Sequence, residues 1–267
     1  MAGAVHKDFK GTAYQPQEEV YFNDGREIAL LHFIYTHPNL EQLRGNPQKV
    51  LDAIDEYGKT KKYLMNIGEY KSKTVVDLIA EVKPQVMVEI GAYVGYSAIA
   101  FAAAVKKAGG KRYFSLEHNP EFGAVTSSLV DLAGLGDIVT VVIGSSSDAL
   151  RRLHRDGSLK HIDLLFLDHQ KPFYTPDLKL CEELGIVGPG SVYAADNANL
   201  RQVVKPGNPP YLEYVRSTVE QKRQRFESAN GDGPKGNPDL KYKSEFVEGW
   251  EPSGVPDALE ITRCVKA

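Results

Sequence analysis

The sequence has only two cysteines, Cys181 and Cys264, among its 267 residues. Two thiols cannot build the disulfide framework of a small secreted domain, so we expect both to be reduced in a cytoplasmic protein. The chain also lacks a run of about 20 apolar residues, the length that a membrane-crossing helix requires, and this excludes such a helix. Residues 1–20 have neither the apolar segment of a signal peptide nor the arginine-rich bias of a transit peptide.

Neither sign of charge predominates, because 32 lysines and arginines stand against 35 aspartates and glutamates and leave a formal charge of −3. This balance argues against a protein that binds nucleic acid through a basic surface, so we expect no nucleic-acid partner. Apolar residues make up 42% of the chain and charged residues 25%, which is ordinary for a globular protein. The length is typical of one large α/β domain, or at most two small domains.

Short apolar runs alternate with segments of helical pattern in the middle of the chain. Continuous apolar strands separated by helices predict a mostly parallel sheet covered on both faces, as in doubly wound, Rossmann-like α/β domains. The predicted strands are residues 86–90, 113–116, 139–143, 164–167 and 191–195, and the predicted helices between them are residues 97–108, 120–133, 146–154 and 176–184.

The flanks of this central region add further elements. Two runs near the end, residues 246–250 and 258–266, are separated by too few residues for a crossover helix and predict an antiparallel hairpin at the sheet edge. Residues 1–24 show no periodicity and are predicted to form an arm, so that residues 25–267 are one domain. Apolar spacing predicts three N-terminal helices, at residues 25–37, at residues 47–57 after a cap at Asn46, and at residues 72–82.

A turn with two glycines follows the first predicted strand, in the sequence EIGAYVGYS at residues 89–97. Gly91 and Gly95 would let backbone N–H groups approach a ligand at the carboxyl end of the sheet. Glu117, after the second strand, stands where an acidic residue can bind a ribose, although a solvated strand-end carboxylate is the alternative. The spacing G-x-x-x-G does not match the dinucleotide fingerprint, which disfavours a dehydrogenase. Residues 144–148 could cap the next helix, contact an adenine, or both.

Polar side chains also follow the fourth and fifth predicted strands, namely Asp168 in the first case and Asp196 and Asn197 in the second. Any one of them alone is most often a turn residue or a helix cap. Two carboxylates and one amide oxygen at adjacent strand ends, however, are ligands that suit a hard cation such as Mg²⁺. The sequence therefore predicts a metal site at this edge of the sheet.

These segments resemble the catechol O-methyltransferases. That family transfers the methyl group of S-adenosylmethionine to one hydroxyl of a catechol whose two oxygens bind Mg²⁺. The resemblance implies S-adenosylmethionine and Mg²⁺ as cofactors and a small catechol as substrate, and it extends from about residue 31 to residue 265. It is carried by EIGAYVGYS (89–97), YLMNIG (63–68), LDHQK (167–171), ADN (195–197) and DALE (257–260).

The resemblance also implies roles for individual residues. Lys171 is the expected general base, and Glu260 is expected to take part in catalysis by holding a substrate hydroxyl. The expected Mg²⁺ ligands are Asp168, Asp196 and Asn197, of which Asn197 also contacts the substrate. The expected walls of the substrate slot are Tyr63, Pro206 and Leu259. The expected cofactor-binding residues are Met65, Ile67, Glu89, Gly91, Tyr93, Ser97, Glu117, Ser146, Asp168 and His169.

Some positions depart from the family pattern or leave alternatives open. Gln170 and Tyr63 stand where the animal enzymes have tryptophan, which leaves the physiological catechol and the methylated position open. Tyr70 and Lys71 could contact the substrate, but we interpret both as surface residues. A cation-dependent O-methyltransferase of the caffeoyl-coenzyme A type is the alternative function, and a catalytically silent protein of the same fold is another. We expect a monomer or a weak homodimer.

Overall fold

A seven-stranded β-sheet organises the chain, and the computed structural model describes residues 5–198, 211–228 and 231–266. The strands are β1 (Val86–Ile90), β2 (Arg112–Glu117), β3 (Val139–Ile143), β4 (Leu164–Leu167), β5 (Val192–Ala195), β6 (Lys241–Trp250) and β7 (Pro256–Val265). Their order is β3-β2-β1-β4-β5-β7-β6, with the first five parallel and β7 antiparallel to both β5 and β6. This arrangement confirms the predicted doubly wound, mostly parallel sheet with a C-terminal antiparallel hairpin.

Helices cover both faces of the sheet. The N-terminal helices are present as predicted, although the third begins at Gly68 rather than at residue 72 because its first turn is polar. The helices are α1 (Arg26–Tyr35), α2 (Leu40–Leu43), α3 (Pro47–Thr60), α4 (Gly68–Val82), α5 (Tyr96–Lys107), α6 (Pro120–Leu132), α7 (Ser146–Arg155), α8 (Tyr174–Glu183), α9 (Tyr211–Arg216) and α10 (Val219–Ser228). Among the described residues, no helix is both long and apolar enough to traverse a lipid bilayer.

Two hydrophobic cores form because successive strand side chains point to opposite faces of the sheet. In β1, Met87 belongs to the core beneath α1 and α3–α6, whereas Val88 and Ile90 belong to the core beneath α7–α9. All three side chains are at most 2% exposed. Burial on both faces explains why the parallel strands are apolar throughout rather than alternately apolar and polar.

The C-terminal hairpin differs in detail from its prediction. β7 lies inside the sheet between β5 and β6, and β6 forms the edge. β6 also begins at Lys241 rather than at residue 246, because an edge strand with polar side chains facing solvent carries no continuous apolar run. The hairpin thus extends the parallel sheet by two antiparallel strands and brings its own turn, residues 251–255, to the end of β5.

The strand order reverses direction between β1 and β4, which are neighbours in the sheet but far apart in the chain. The chain adds β2 and β3 on one side of β1, and β4 and β5 on the other. Doubly wound sheets bind ligands at the carboxyl ends of the strands beside such a reversal. The turn after β1 and the polar residues after β4 and β5 therefore lie where a ligand site is expected.

Asn46 offers a test of local structure, because its side-chain oxygen accepts a hydrogen bond of 3.1 Å from the Lys49 amide at the start of α3. We expect Asn46→Ala to lower the free energy of unfolding by about 1 kcal/mol, the usual cost of a lost N-cap. The matched control is Asn39→Ala, since Asn39 precedes α2 but makes no capping hydrogen bond. Urea denaturation measures both values, and equal losses in the two variants would contradict the capping role.

Candidate active site

The turn between β1 and α5 has an unusual backbone. Gly91, Tyr93 and Gly95 have positive φ angles of 98°, 50° and 86°. A Cβ atom on Gly91 would lie 2.5 Å from the carbonyl oxygen of Asp168, so only glycine permits this approach between the turn and the end of β4. The turn thereby packs directly on the backbone of Asp168 and His169 at the end of β4.

Glu117 holds this turn through its carboxylate. Its Oε2 accepts hydrogen bonds from the amides of Ala92 (3.0 Å) and Tyr93 (2.9 Å), and its Oε1 accepts one from the Asn119 amide (2.8 Å). A carboxylate has about four acceptor positions, so capacity remains for a ligand hydroxyl. The predicted ribose-binding residue is therefore also the residue that organises the glycine turn.

Glu89 lies below the turn and is fully buried. Its carboxylate accepts hydrogen bonds from the hydroxyls of Tyr113 (2.7 Å) and Ser115 (2.5 Å), and Ser97 contributes a third. Burial raises its pKa to about 7, although these hydroxyls oppose the shift. Glu89 and Ser97 thus support the turn from the core side, while Tyr93 turns its hydroxyl to Glu27 at 3.0 Å.

His169 and Ser146 both contact Asp177, which the sequence analysis did not identify as part of the site. The Ser146 hydroxyl donates to Asp177 Oδ2 at 2.5 Å, and His169 Nε2 lies 2.9 Å from the same oxygen. The His169 ring stacks on Tyr174 with a centroid distance of 4.9 Å. Burial lowers the pKa of His169 against the opposing effect of Asp177. Asp177 lies within α8, where the sequence alone resembles an ordinary helix carboxylate.

The three predicted metal ligands lie at neighbouring strand ends, because Leu167 of β4 pairs with Ala195 of β5. Lys171 Nζ lies 3.3 Å from Asp168 Oδ1 and 2.7 Å from the Tyr174 hydroxyl. That hydroxyl in turn donates to the Asp196 carbonyl at 3.3 Å. The predicted base therefore lies beside the first of the predicted ligands.

Lys71 corrects an expectation, because it is not a surface residue but is 1% exposed. Its Nζ lies 2.7 Å from Asp196 Oδ1, 2.6 Å from Asp257 Oδ2 and 3.1 Å from Glu251 Oε1. The amide nitrogen of Asn197 donates to the same Glu251 (2.7 Å) and Asp257 (2.8 Å) oxygens. Sequence reasoning did not identify Glu251 as part of the site, and the only sequence signal was its place in the short segment between two strands.

Carboxyl groups outnumber ammonium groups in this cluster. Among the residues that the structure describes, Asp168, Asp196, Glu251 and Asp257 meet the ammonium groups of Lys71 and Lys171. Burial, helped by repulsion from Asp196, raises the pKa of Asp168 to about 7 and that of Glu251 to about 8. Burial would lower the pKa of Lys71, but the surrounding carboxylates outweigh it and hold the pKa well above its usual value.

Three of these carboxylates come close enough together to share one cation, and the Lys71 ammonium lies among them. Asp196, Glu251 and Asp257 each offer a carboxylate oxygen within 4.8 Å of the others. Asp257 Oδ1 is buried and has no hydrogen-bond partner within the described ranges. Hard oxygen donors with a surplus of negative charge are what Mg²⁺ binds in proteins, usually with some of its waters retained.

Glu260 does not lie with this cluster. It is fully buried and forms a bidentate ion pair with Arg216 of α9, at 2.6 Å and 2.7 Å. Side chains alternate along β7, so Glu260 projects from the same face as Ala258, towards α9. The structure therefore does not bring Glu260 together with the other expected site residues, because its carboxylate pairs with Arg216 on the other face of the sheet.

The other residues expected to contact the cofactor or the substrate differ in how deeply they are buried. Tyr63 is buried near the cluster, and burial, reinforced by the charge of Glu251, raises its pKa. Ile67 is buried and Met65 half-buried in the segment between α3 and α4. Leu259 is 1% exposed and belongs to the hydrophobic core. Pro206 lies outside the described residues.

Known proteins resemble this chain in sequence and in fold. Residues 88–198 match a family model described as a methyltransferase domain. The chain is 37% identical to the catechol O-methyltransferase of Bos taurus over 80% of this chain and 75% of that protein, and 39% identical to that of Sus scrofa over 72% and 93%. The structure of an O-methyltransferase from Bacillus cereus in complex with SAH has a TM-score of 0.60 and 17% identity, and covers 89% of this chain and 97% of that one. The likeness to the Bacillus cereus structure shows the fold alone.

The glycine turn can be tested by adding a single methyl group. Gly91→Ala combines strain at positive φ with a collision against the Asp168 carbonyl, whereas Gly109→Ala has similar strain at φ 88° and no atom within 4 Å. We expect Gly109→Ala to cost about 1 kcal/mol of unfolding free energy, and Gly91→Ala a further 1–3 kcal/mol or so from overpacking. Urea denaturation compares them, and an equal or smaller loss for Gly91→Ala would be evidence against the close approach.

Proposed function

Because the chain belongs to the catechol O-methyltransferase family, we propose that it transfers the methyl group of S-adenosylmethionine to one hydroxyl of a catechol-type substrate chelated to Mg²⁺. The methyltransferase activity rests on the relatives. The observation that supports the finer proposal is the cluster of buried carboxylates with Asn197 and Lys171 beside the glycine turn. A catechol offers two adjacent oxygens, which suits a cation held at one side of such a cluster.

The glycine turn and its neighbours would hold S-adenosylmethionine. Glu117 binds the ribose with the acceptor capacity that the turn amides leave free. Ser146 and His169, joined through Asp177, lie towards the adenine end, and the turn at Gly91 and Tyr93 lies towards the methionine end. The ends of β4 and β5 lie next to this turn, since Gly91 packs on the backbone of Asp168.

Asp168, Asp196 and Asn197 would hold Mg²⁺, which supplies positive charge that lowers the pKa of a bound hydroxyl. The surplus of carboxylates favours this cation, since part of the negative charge is otherwise neutralised by protons. Asn197 has a left-handed backbone at φ 55°, a conformation that asparagine tolerates better than most residues. The same residue can therefore end the strand and offer its side chain to the site.

Lys171 would accept the proton of the hydroxyl that is methylated. Its amine must be neutral to do so, and the Tyr174 hydroxyl at 2.7 Å holds it beside Asp168. S-adenosylmethionine would supply the methyl group, with S-adenosylhomocysteine as the product that leaves. Much of the rate should come from the alignment of oxygen, carbon and sulfur that these fixed side chains provide.

Glu251 takes the part that the sequence suggested for Glu260. Its carboxylate lies 2.7 Å from Asn197 Nδ2, so it faces a residue that would bind both metal and substrate. It would accept a hydrogen bond from the second hydroxyl, the one that keeps its proton. A simple phenol has no such hydroxyl, and Glu251 would therefore favour catechols.

A methyl-transfer assay tests the proposal with S-adenosylmethionine, a simple catechol, the matching phenol and the coenzyme A thioester of caffeic acid. We expect methylation of the catechol that stops in EDTA and returns with Mg²⁺, because the proposed ligands Asp168, Asp196 and Asn197 offer the hard oxygen donors that Mg²⁺ prefers. Full catechol turnover after exhaustive chelation would contradict the metal assignment. Preference for the thioester would favour the caffeoyl-coenzyme A alternative, and no transfer to any acceptor would favour a silent protein.

Substitutions of Glu251 and Glu260 test which of the two glutamates holds the second hydroxyl of the substrate. We expect Glu251→Gln to lower kcat/KM for a catechol by about 1–3 kcal/mol in transition-state terms, the range for a lost hydrogen bond to a charged group. Glu260→Gln should leave kcat/KM within about threefold of the wild type, an effect below 1 kcal/mol, because its carboxylate pairs with Arg216. Steady-state kinetics measures kcat/KM for both variants, and S-adenosylmethionine affinity is measured separately. A larger loss of kcat/KM in Glu260→Gln than in Glu251→Gln would favour Glu260 as the residue that holds the substrate.

A further inference from the structure

The turn between β6 and β7 carries Glu251 into the candidate active site. Two backbone hydrogen bonds close it, from the Glu251 amide to the Val255 carbonyl at 2.9 Å and from the Gly254 amide to the Glu251 carbonyl at 2.8 Å. The position of the Glu251 carboxylate beside Asn197 therefore depends on how this turn is held against the rest of the molecule.

The N-terminal arm, residues 5–24, holds the turn from outside. The His6 amide donates to the Gly254 carbonyl at 3.0 Å, and the Tyr14 amide donates to the Pro252 carbonyl at 2.9 Å. A Cβ atom on Gly254 would lie 2.9 Å from Val5 and 3.0 Å from the Phe9 ring, so the arm packs on the turn without a gap. The arm thus binds the turn through two of its backbone carbonyls, those of Pro252 and Gly254.

Phe9 also connects the two segments that place charged groups in the cluster. Its ring lies 5.8 Å from the Trp250 ring, next to Glu251, and 5.0 Å from the Tyr70 ring, next to Lys71. Aromatic pairs at these separations stabilise their geometry beyond the area that they bury. One arm residue therefore packs against the immediate neighbours of both Glu251 and Lys71.

Tyr14 anchors the arm to α3. A Cβ atom on Gly58 would lie 2.5 Å from the Tyr14 ring, which fits only because residue 58 is glycine. The Tyr14 hydroxyl donates to Asp55 and accepts from the Asn66 amide nitrogen at 3.3 Å. Asn66 in turn accepts the Gly68 amide at 3.0 Å at the start of α4. The arm consequently bridges α3, the start of α4 and the β6–β7 turn.

We propose that Phe9 and Tyr14 of the arm are positioning residues that fix Glu251 relative to Asn197, and so determine catechol affinity and which hydroxyl is methylated. The inference rests on the proposed function. A hydrogen bond to the unmethylated hydroxyl selects one of the two orientations of an unsymmetrical catechol only if its acceptor is held in place. A displacement of about 1 Å at such a contact can change rates by roughly a hundredfold.

The test compares Phe9→Ala and Tyr14→Ala with Lys10→Ala and Gln17→Ala, which alter exposed positions of the same arm. We expect the first pair to raise KM for an unsymmetrical catechol by about tenfold or more and to move the ratio of its two methylated products towards equality. For Phe9→Ala, S-adenosylmethionine affinity should stay within about twofold, because the ring contacts of Phe9 among the described residues are with Tyr70 and Trp250 rather than with the glycine turn. Tyr14→Phe should restore most of the ratio, since it keeps the ring over Gly58.

Trp250 provides a second measurement, since it is the single tryptophan of the chain and its ring packs on both His6 and Phe9. A specific protease site inserted after Gln17 allows the arm to be cut after the protein has folded, and a change in Trp250 fluorescence reports its release. If the arm is released but the product ratio and KM stay unchanged, the inference is overturned while the proposed function stands. A wild-type protein that methylates no catechol and binds none by Trp250 fluorescence would overturn both.

Discussion

Lys71 and the three carboxylates around it are the interaction on which the arrangement of the active site depends. The ammonium lies within 2.6–3.1 Å of Asp196, Asp257 and Glu251, which come from the end of β5, from β7 and from the β6–β7 turn. Loss of one partner from a buried ion pair leaves an uncompensated charge and is strongly destabilising. Lys71 therefore joins α4 to the C-terminal hairpin at the point where the parallel strands end.

The same cluster couples the architecture to the chemistry. One buried lysine does not balance the carboxylates around it, so burial and mutual repulsion raise the pKa of Asp168 to about 7 and that of Glu251 to about 8. A divalent cation would replace the protons that these groups otherwise retain near neutral pH. The hairpin that extends the sheet supplies Glu251 and Asp257 to this cluster, and the N-terminal arm packs on the turn of that hairpin.

Glu260 and Glu251 illustrate how the environment of a residue depends on the fold rather than on a motif. The DALE segment resembled a family motif, and its glutamate was the acid expected to hold the substrate. In the structure the alternation of side chains along β7 turns Glu260 away, to the face where Arg216 lies, while Asp257 joins the cluster. The side of a strand that a residue occupies depends on register, and a shift of one position reverses it. Glu251 and Glu260 are nine positions apart in the sequence, yet only the fold distinguishes their environments.

The sequence by itself determined the parallel sheet, the glycine turn and the placement of Asp168, Asp196, Asn197 and Lys171 at adjacent strand ends. These follow from local rules, because apolar runs specify buried strands and the residues after parallel strands meet at one edge of the sheet. Only the tertiary structure decided that Lys71 is buried, that Glu251 faces Asn197 and that the arm holds the turn. Each of these contacts joins segments far apart in the chain, and the polar residues involved have no periodicity that reveals which side chain will be buried against which partner.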